Sequence, residues 1–157
     1  MLTNMSSINL IHDTAGLPVK QNTGRLTRLT ATVASAKPFY QELVPASADN
    51  AEQLLIKVLQ RHCLETGWIV LVAPKQLPSK ALAAYLQLPV DKMLVIHADT
   101  IKDPAKTLDK LLHSSSCRVV INFSPLPSEA LISELSHSAG KQQRWFYQFN
   151  HSVKQTH

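Results

Sequence analysis

Between Ala73 and Lys80 the chain reads APKQLPSK, directly after the apolar run WIVLVA, 68–73, and ahead of a helix start at Ser79. A nucleotide enzyme keeps its phosphate loop at this kind of place. There a buried strand runs into GxxxxGK and a Ser or Thr, backbone N–H groups wrap the phosphates, and the lysine reaches the outer ones. Here Ala73 and Pro78 occupy the two glycine positions, Ser79 falls at the lysine and Lys80 at the hydroxyl. Pro74 and Pro78 bring no N–H and fix their own φ. The turn is therefore expected to make no phosphate cradle. In RVVINF, 118–123, Asn122 stands where a magnesium-binding Asp would be wanted. The expectation is a nucleotide-enzyme layout without the chemistry: no catalytic residue, no metal and no cofactor.

Other residues able to do chemistry read the same way. His113, Ser115 and Ser116 sit together in HSSSC, but no GxSxG elbow raises a nucleophile, so the stretch reads as a polar turn. Cys63 and Cys117, with His62 and His113, lack the paired spacing of a zinc site. Two buried thiols in a reducing compartment, the cytoplasm, account for the cysteines. Asp99 and Asp103 flank a turn, and Asp103 is better used as a helix cap. Lys102, Lys106 and Lys110 fall on one helical face, the solvated one. Lys141, Arg144, Trp145, Phe146 and Tyr147 have the aromatic-basic mix of single-strand binders. Their alternation fits a strand whose rings pack in the core.

The elements that must position these residues follow from period and punctuation. FYQELV, 39–44, is a short edge strand before Pro45. From about Asn50 to Glu65, Ala51, Leu54, Leu55, Val58, Leu59 and His62 recur at helical spacing, with Asp49 as cap, Glu52 as its capping-box partner and Gly67 closing. WIVLVA, MLVIHA (93–98) and RVVINF are continuous apolar runs, read as strands buried on both faces of a parallel sheet. Between them lie helices over Ser79–Leu86, from Asp103-Pro104 through Leu108, Leu111 and Leu112, and from Pro127 or Ser128 through Leu131, Ile132 and Leu135 to Gly140. RWFYQF, 144–149, is a last strand with Trp145, Tyr147 and Phe149 on one face and Phe146 on the other. Strands alternating with helices predict an α/β fold: three layers, a mostly parallel sheet, helices on both faces, right-handed crossovers.

Composition bounds the partners. The 157 residues suit one folded domain, 38–150, between an arm, 1–37, and a tail, 151–157. Apolar residues make up 45% and charged residues only 17%, below the usual ~25%. No run nears the ~20 apolar residues of a membrane helix, and MLTNMSSINL has no secretory h-region. The net charge of +5 is uneven: residues 1–37 and 141–157 are basic, while 38–140 hold nine bases against ten acids. A nucleic-acid binder usually carries its basic stripe on the folded body, so nucleic acid is not the expected partner.

With Trp68 opening one strand, Pro74 and Gln76 in the turn after it, LPVDK at 88–92 and RVVINF at 118–123, the stretch 68–123 resembles the SulA family of SOS-induced bacterial cell division inhibitors. In that family a tryptophan-led strand ends in Thr-Pro-Gln, and a Leu-Pro-x-x-Lys turn follows fifteen residues from proline to proline, the spacing of Pro74 and Pro89. The resemblance covers roughly residues 50–150. It implies a RecA-like fold without a working P-loop and binding to the tubulin-like division protein FtsZ, which blocks polymerisation after DNA damage. It further implies destruction by Lon protease, reading a tail that here ends Gln155, Thr156, His157.

Residue by residue, Lys92 falls on a family lysine important for inhibition, Leu82 on a family Trp, and Gly67 on a family Arg. The expected FtsZ-binding face is the 74–92 segment, with Leu82, Tyr85 and Leu88 as apolar contacts and Lys80 and Lys92 at its rim. Exposed edge strands leave room for a homodimer. The alternative is a DNA-repair accessory of the same fold, binding a recombinase, a polymerase or single-stranded DNA through the basic arm and 141–147.

Overall fold

Five strands, all parallel, form one sheet in the computed structural model, which describes residues 39–150. They are β1 (Tyr40–Leu43), β2 (Trp68–Val72), β3 (Met93–Ile96), β4 (Cys117–Asn122) and β5 (Trp145–Phe149), in the order β1-β5-β4-β2-β3. The helices between them are α1 (Ala48–Arg61), α2 (Lys80–Tyr85), α3 (Pro104–His113) and α4 (Glu129–Gln142). A parallel sheet needs both faces covered, and the alternation of side chains divides the core accordingly. Ile69, Leu71, Val119, Ile121, Tyr147 and Phe149 pack with Leu55, Val58 and Leu59 of α1, Ala83 of α2 and Leu88. On the other face Val70, Val72, Val120 and Phe146 meet Leu108 and Leu112 of α3 and Leu135 and Ala139 of α4. The three-layer α/β fold and the opposed aromatics of β5 are as the sequence predicts.

Connectivity sets where a site can form. From the edge strand β1 the chain crosses to β2, steps out to β3, and returns through β4 to β5. The loops after β2 and β4 therefore leave in opposite directions and open a crevice at the carboxyl edge of the sheet, where ligands of such folds bind.

Three local features differ from the sequence expectation. MLVIHA is not buried on both faces: β3 is an edge strand, and Leu94 is 45% exposed. An apolar run shows that no charge was needed, not that both sides are covered. α1 begins at Ala48 with Ser47, not Asp49, as its cap. The Ser47 hydroxyl accepts from the Asn50 N–H, and the Asn50 side chain accepts in return from the Ala46 N–H at 3.0 Å. α4 runs through Gly140 and ends at Gln143, held left-handed at φ 55°. There the Gln143 N–H reaches Gly140 O and the Arg144 N–H reaches Ala139 O, the bond pair that closes a helix on a left-handed residue. Gln87 does the same after α2, at φ 54°. The caps Ser79, Asp103 and Ser128 stand as expected.

Candidate protein-docking site

At the carboxyl edge, several of the groups a nucleotide would use are spent on the fold. Ala73 is held left-handed at φ 55°, and its N–H donates to Ile96 O at 2.7 Å, while the Phe123 N–H donates to Val72 O at 2.9 Å. Pro74 and Pro78 follow with no N–H to offer. Asn122, fully buried, donates from Nδ2 to Gln148 Oε1 at 2.7 Å and Ser124 O at 2.9 Å, and its Oδ1 accepts from the Ser124 hydroxyl at 2.7 Å. Gln148, also buried, donates to Ser124 O at 3.0 Å and Asn150 Oδ1 at 3.3 Å, and Asn150 donates onward to Glu42. Such a network satisfies its own buried amides, which is what burial demands. Beside it lies a cleft of about 470 Å³, lined by Leu55, Phe123, Phe149, Lys75 and Gln76 among others. Its two phenyl rings are stacked at 4.6 Å. Among the described residues no group of three or more His, Cys, Asp or Glu is placed to hold a metal.

The amino edge is built differently. After Arg61 the chain turns through 62–67 into β2, and four side chains pin that turn. His62 is buried, with Nδ1 2.9 Å from a Glu65 oxygen and Nε2 2.7 Å from the Tyr147 hydroxyl. A carboxylate only accepts, so Nδ1 carries the proton and Nε2 accepts from Tyr147. Burial pulls the His62 pKa below its ordinary 6.5 despite Glu65, and pushes Tyr147 up to about 12. Burial also works against the Glu65 carboxylate, but hydrogen bonds from His62 and Arg118 outweigh it and hold its pKa down. Arg118 Nε meets Glu65 Oε2 at 3.0 Å, and Arg118 Nη1 donates to Gln143 O at 3.1 Å. Lys92 Nζ donates to two carbonyls of the turn, Cys63 O at 2.9 Å and Glu65 O at 2.7 Å. The Arg61 guanidinium lies 4.4 Å from the centre of the Trp145 ring. Gly67 sits at φ +105°, and a Cβ there would come within 3.1 Å of Arg118 Cβ and Ser116 O.

From this pinned turn Leu64 projects 93% exposed, with Trp68 beside it 39% exposed. The β2–β3 register begins Ile69↔Met93, so Trp68 and Lys92 lie side by side before it. α2 returns to the same edge, bringing Tyr85, 84% exposed, and Val90, 55% exposed.

The residues expected at the FtsZ-binding face thus divide. Tyr85 and Lys92 share the amino edge. Lys80 is exposed at the far end of α2, next to the carboxyl edge, and Leu82 is half-buried. Leu88 is a core residue, packed with α1 and β2, so it is not on the exposed face expected for it. The Lys92 ammonium, expected at a rim, is half-buried and occupied by backbone carbonyls. Cys117 is buried, which raises its thiol to about 11, whereas Cys63 is only half-buried. Gln155, Thr156 and His157, with the rest of the tail and the arm, lie outside the described residues. Sequence reasoning missed Leu64, Trp68 and Val90 as surface residues. An apolar residue in a short turn leaves no periodic trace.

The fold is similar to that in the crystal structure of SulA from Pseudomonas aeruginosa, with a TM-score of 0.59 over 73% of this chain and 98% of that one. The fold is SulA-like. The two chains are 19% identical over that match, a level at which the likeness speaks for the fold. No family model matches the chain, and no curated protein matches its sequence. Among the described residues no helix is long and apolar enough to cross a membrane.

Proposed function

We propose that this chain is a cytoplasmic, non-enzymatic inhibitor of bacterial cell division that binds FtsZ and blocks its polymerisation in the SOS response to DNA damage. The observation that carries the reading is the bend after β2. Its first N–H is bonded to Ile96 O and the next residue is proline, on a scaffold whose crevice otherwise suits a nucleotide. A scaffold stripped of that chemistry is free to serve as a surface. The SulA-like fold and the residues at 68–76, 88–92 and 118–123 support the choice of partner.

The Arg that the resemblance wants at Gly67 is absent; Arg118 packs its Cβ at Gly67, and its guanidinium is bonded to Glu65 and Gln143 O. The reading also carries turnover by Lon through Gln155, Thr156 and His157. A DNA-repair role through 141–147 draws less support, because Phe146 and Tyr147 are buried and Trp145 is half-covered.

The test is sedimentation of FtsZ polymers with GTP. Near-stoichiometric protein is expected to move FtsZ from pellet to supernatant. Polymers unchanged at a several-fold excess would refute the proposal.

A further inference from the structure

We infer that Leu64 is the apolar anchor of the docking surface, and that Lys92 serves that surface by holding the 62–67 turn in place rather than by touching the partner. The inference rests on the FtsZ-binding reading and names the residues of that site. Among the described residues Leu64 is the most exposed of the large hydrophobic side chains, at 93%, yet it stands on a turn that is anything but loose. Within three residues of it, His62 is locked between Tyr147 and Glu65, the Glu65 carboxylate is locked by Arg118, and the carbonyls of Cys63 and Glu65 both accept from Lys92 Nζ. A leucine held out in water on an ordered turn costs little backbone entropy to bind, so its apolar surface can be buried against a partner at the cost of its own rotamers alone.

Lys92 is poorly placed to meet a partner directly. Its Nζ makes 2.7 and 2.9 Å bonds to carbonyls inside the turn, and the side chain is half-buried. Its removal would release the carbonyls on both sides of Leu64, leaving the Cys63 and Glu65 N–H bonds to hold the turn. The chemistry of the partner follows from what surrounds the leucine. Arg61 and Arg118 flank the turn, and Arg144, bonded to Ser114 O and Ser115 O, stands beside the Ser116 carbonyl that receives the Trp68 N–H. Against these stand Glu65, already paired with Arg118, and Asp91. An apolar side chain rimmed by guanidinium groups fits an apolar pocket with an acidic rim on a protein partner.

The experiment is a double-mutant cycle on FtsZ binding, with Leu64→Ser, Lys92→Met and the two combined, each checked for folding by circular dichroism. Leu64 packs on nothing, so Leu64→Ser keeps the fold and is the deciding variant. It is expected to weaken binding at least tenfold; a loss under threefold overturns the anchor. Lys92→Met is expected to weaken wild-type binding tenfold or more, to speed amide exchange at 63–67, and to cost under threefold further once Leu64 is Ser. A Lys92 effect kept in full without Leu64 means direct contact and overturns the clamp. Should Lys92→Met fail to fold, Lys92→Arg, which can still donate to both carbonyls, must retain binding within threefold. Wild-type protein that does not bind FtsZ at all defeats the functional reading and the inference with it, an outcome distinct from either failure among the variants.

Discussion

The two edges of the sheet use polar groups in opposite ways. At the carboxyl edge Asn122, Gln148, Ser124 and Asn150 bond to one another and to Glu42, and the polypeptide after β2 turns on Ala73 and two prolines. The Ala73 N–H and the buried amides there are all committed to the fold. At the amino edge His62, Glu65, Arg118 and Lys92 are equally well bonded, but what they hold is a turn that pushes Leu64 into water, next to a partly exposed Trp68 at the start of β2. One network closes on itself and the other holds up an exposed turn. Charge separates the edges as well. Glu42, Asp49, Glu52, Asp99, Asp103 and Glu129 lie about the first, with Lys75, Lys80, Lys102 and Lys106, while Arg61, Lys92, Arg118 and Arg144 mark the second, against Glu65 and Asp91. The lesson is that similar polar networks can close one edge of a sheet on itself and hold an apolar side chain out in water at the other.

The sharpest way to break the contrast is to put the acid back. Asn122→Asp removes both amide donors and places a carboxylate beside Gln148 Oε1 in a fully buried site. Ser124 still donates to the residue-122 oxygen. Leaving Gln148 Oε1 and Ser124 O without the Asn122 donor nonetheless costs about 1–3 kcal/mol, and more with a charge beside them. Urea denaturation should show a loss of at least that size, and ATP with magnesium should return none of it. Recovery of stability on adding the nucleotide would mean that the carboxyl edge still binds one.

A second, smaller effect belongs to the amino edge. His62 has its pKa lowered by burial, so the fold favours its neutral form. Its contribution is complete above the ordinary value of 6.5 and is lost as pH falls through the depressed folded value. Glu65, also lowered, adds a loss in the same direction below its ordinary 4.5. Urea midpoints measured from pH 8 to 5 should therefore fall, and His62→Gln should flatten the slope between pH 7 and 5. An unchanged slope would show that the turn is not held through His62.

The smallest effects are gains. Ala73, Gln87 and Gln143 hold left-handed φ with a Cβ, where glycine is free of the steric cost. Ala73→Gly and Gln143→Gly should each stabilise by up to about 1 kcal/mol, read as a rise in thermal midpoint. The Gly variant at Ala73 should also leave ATP binding absent, because Pro74 still lacks an N–H.

The fold was largely legible because its signals are local. β2, β4 and β5 announce themselves as apolar or alternating runs, and Ser79, Asp103 and Ser128 as caps. Helix ends closed by Gln87 and Gln143 were not, since the usual sign is glycine, and Gly140 pointed to the wrong residue. Edge and centre look alike in an apolar run, so β3 passed for a buried strand. The site was legible only in part. Pro74, Pro78 and Asn122 depart from a phosphate-loop pattern by type and spacing alone. The role of Lys92 depends on bonds to residues 29 and 27 positions away, and that of Leu64 on a turn fixed by Tyr147 and Arg118, from distant strands. No periodicity carries such information. Leu88 shows the converse: a leucine in a turn pattern that tertiary packing takes into the core.

Amide hydrogen exchange on the full chain, with and without FtsZ, tests the working edge directly. Binding through the amino edge predicts new protection at 62–68 and 85–92, with exchange at 74–79 and 123–128 unchanged. Protection confined to 74–79 and 123–128 would contradict it and return the carboxyl edge to the centre of this protein's function.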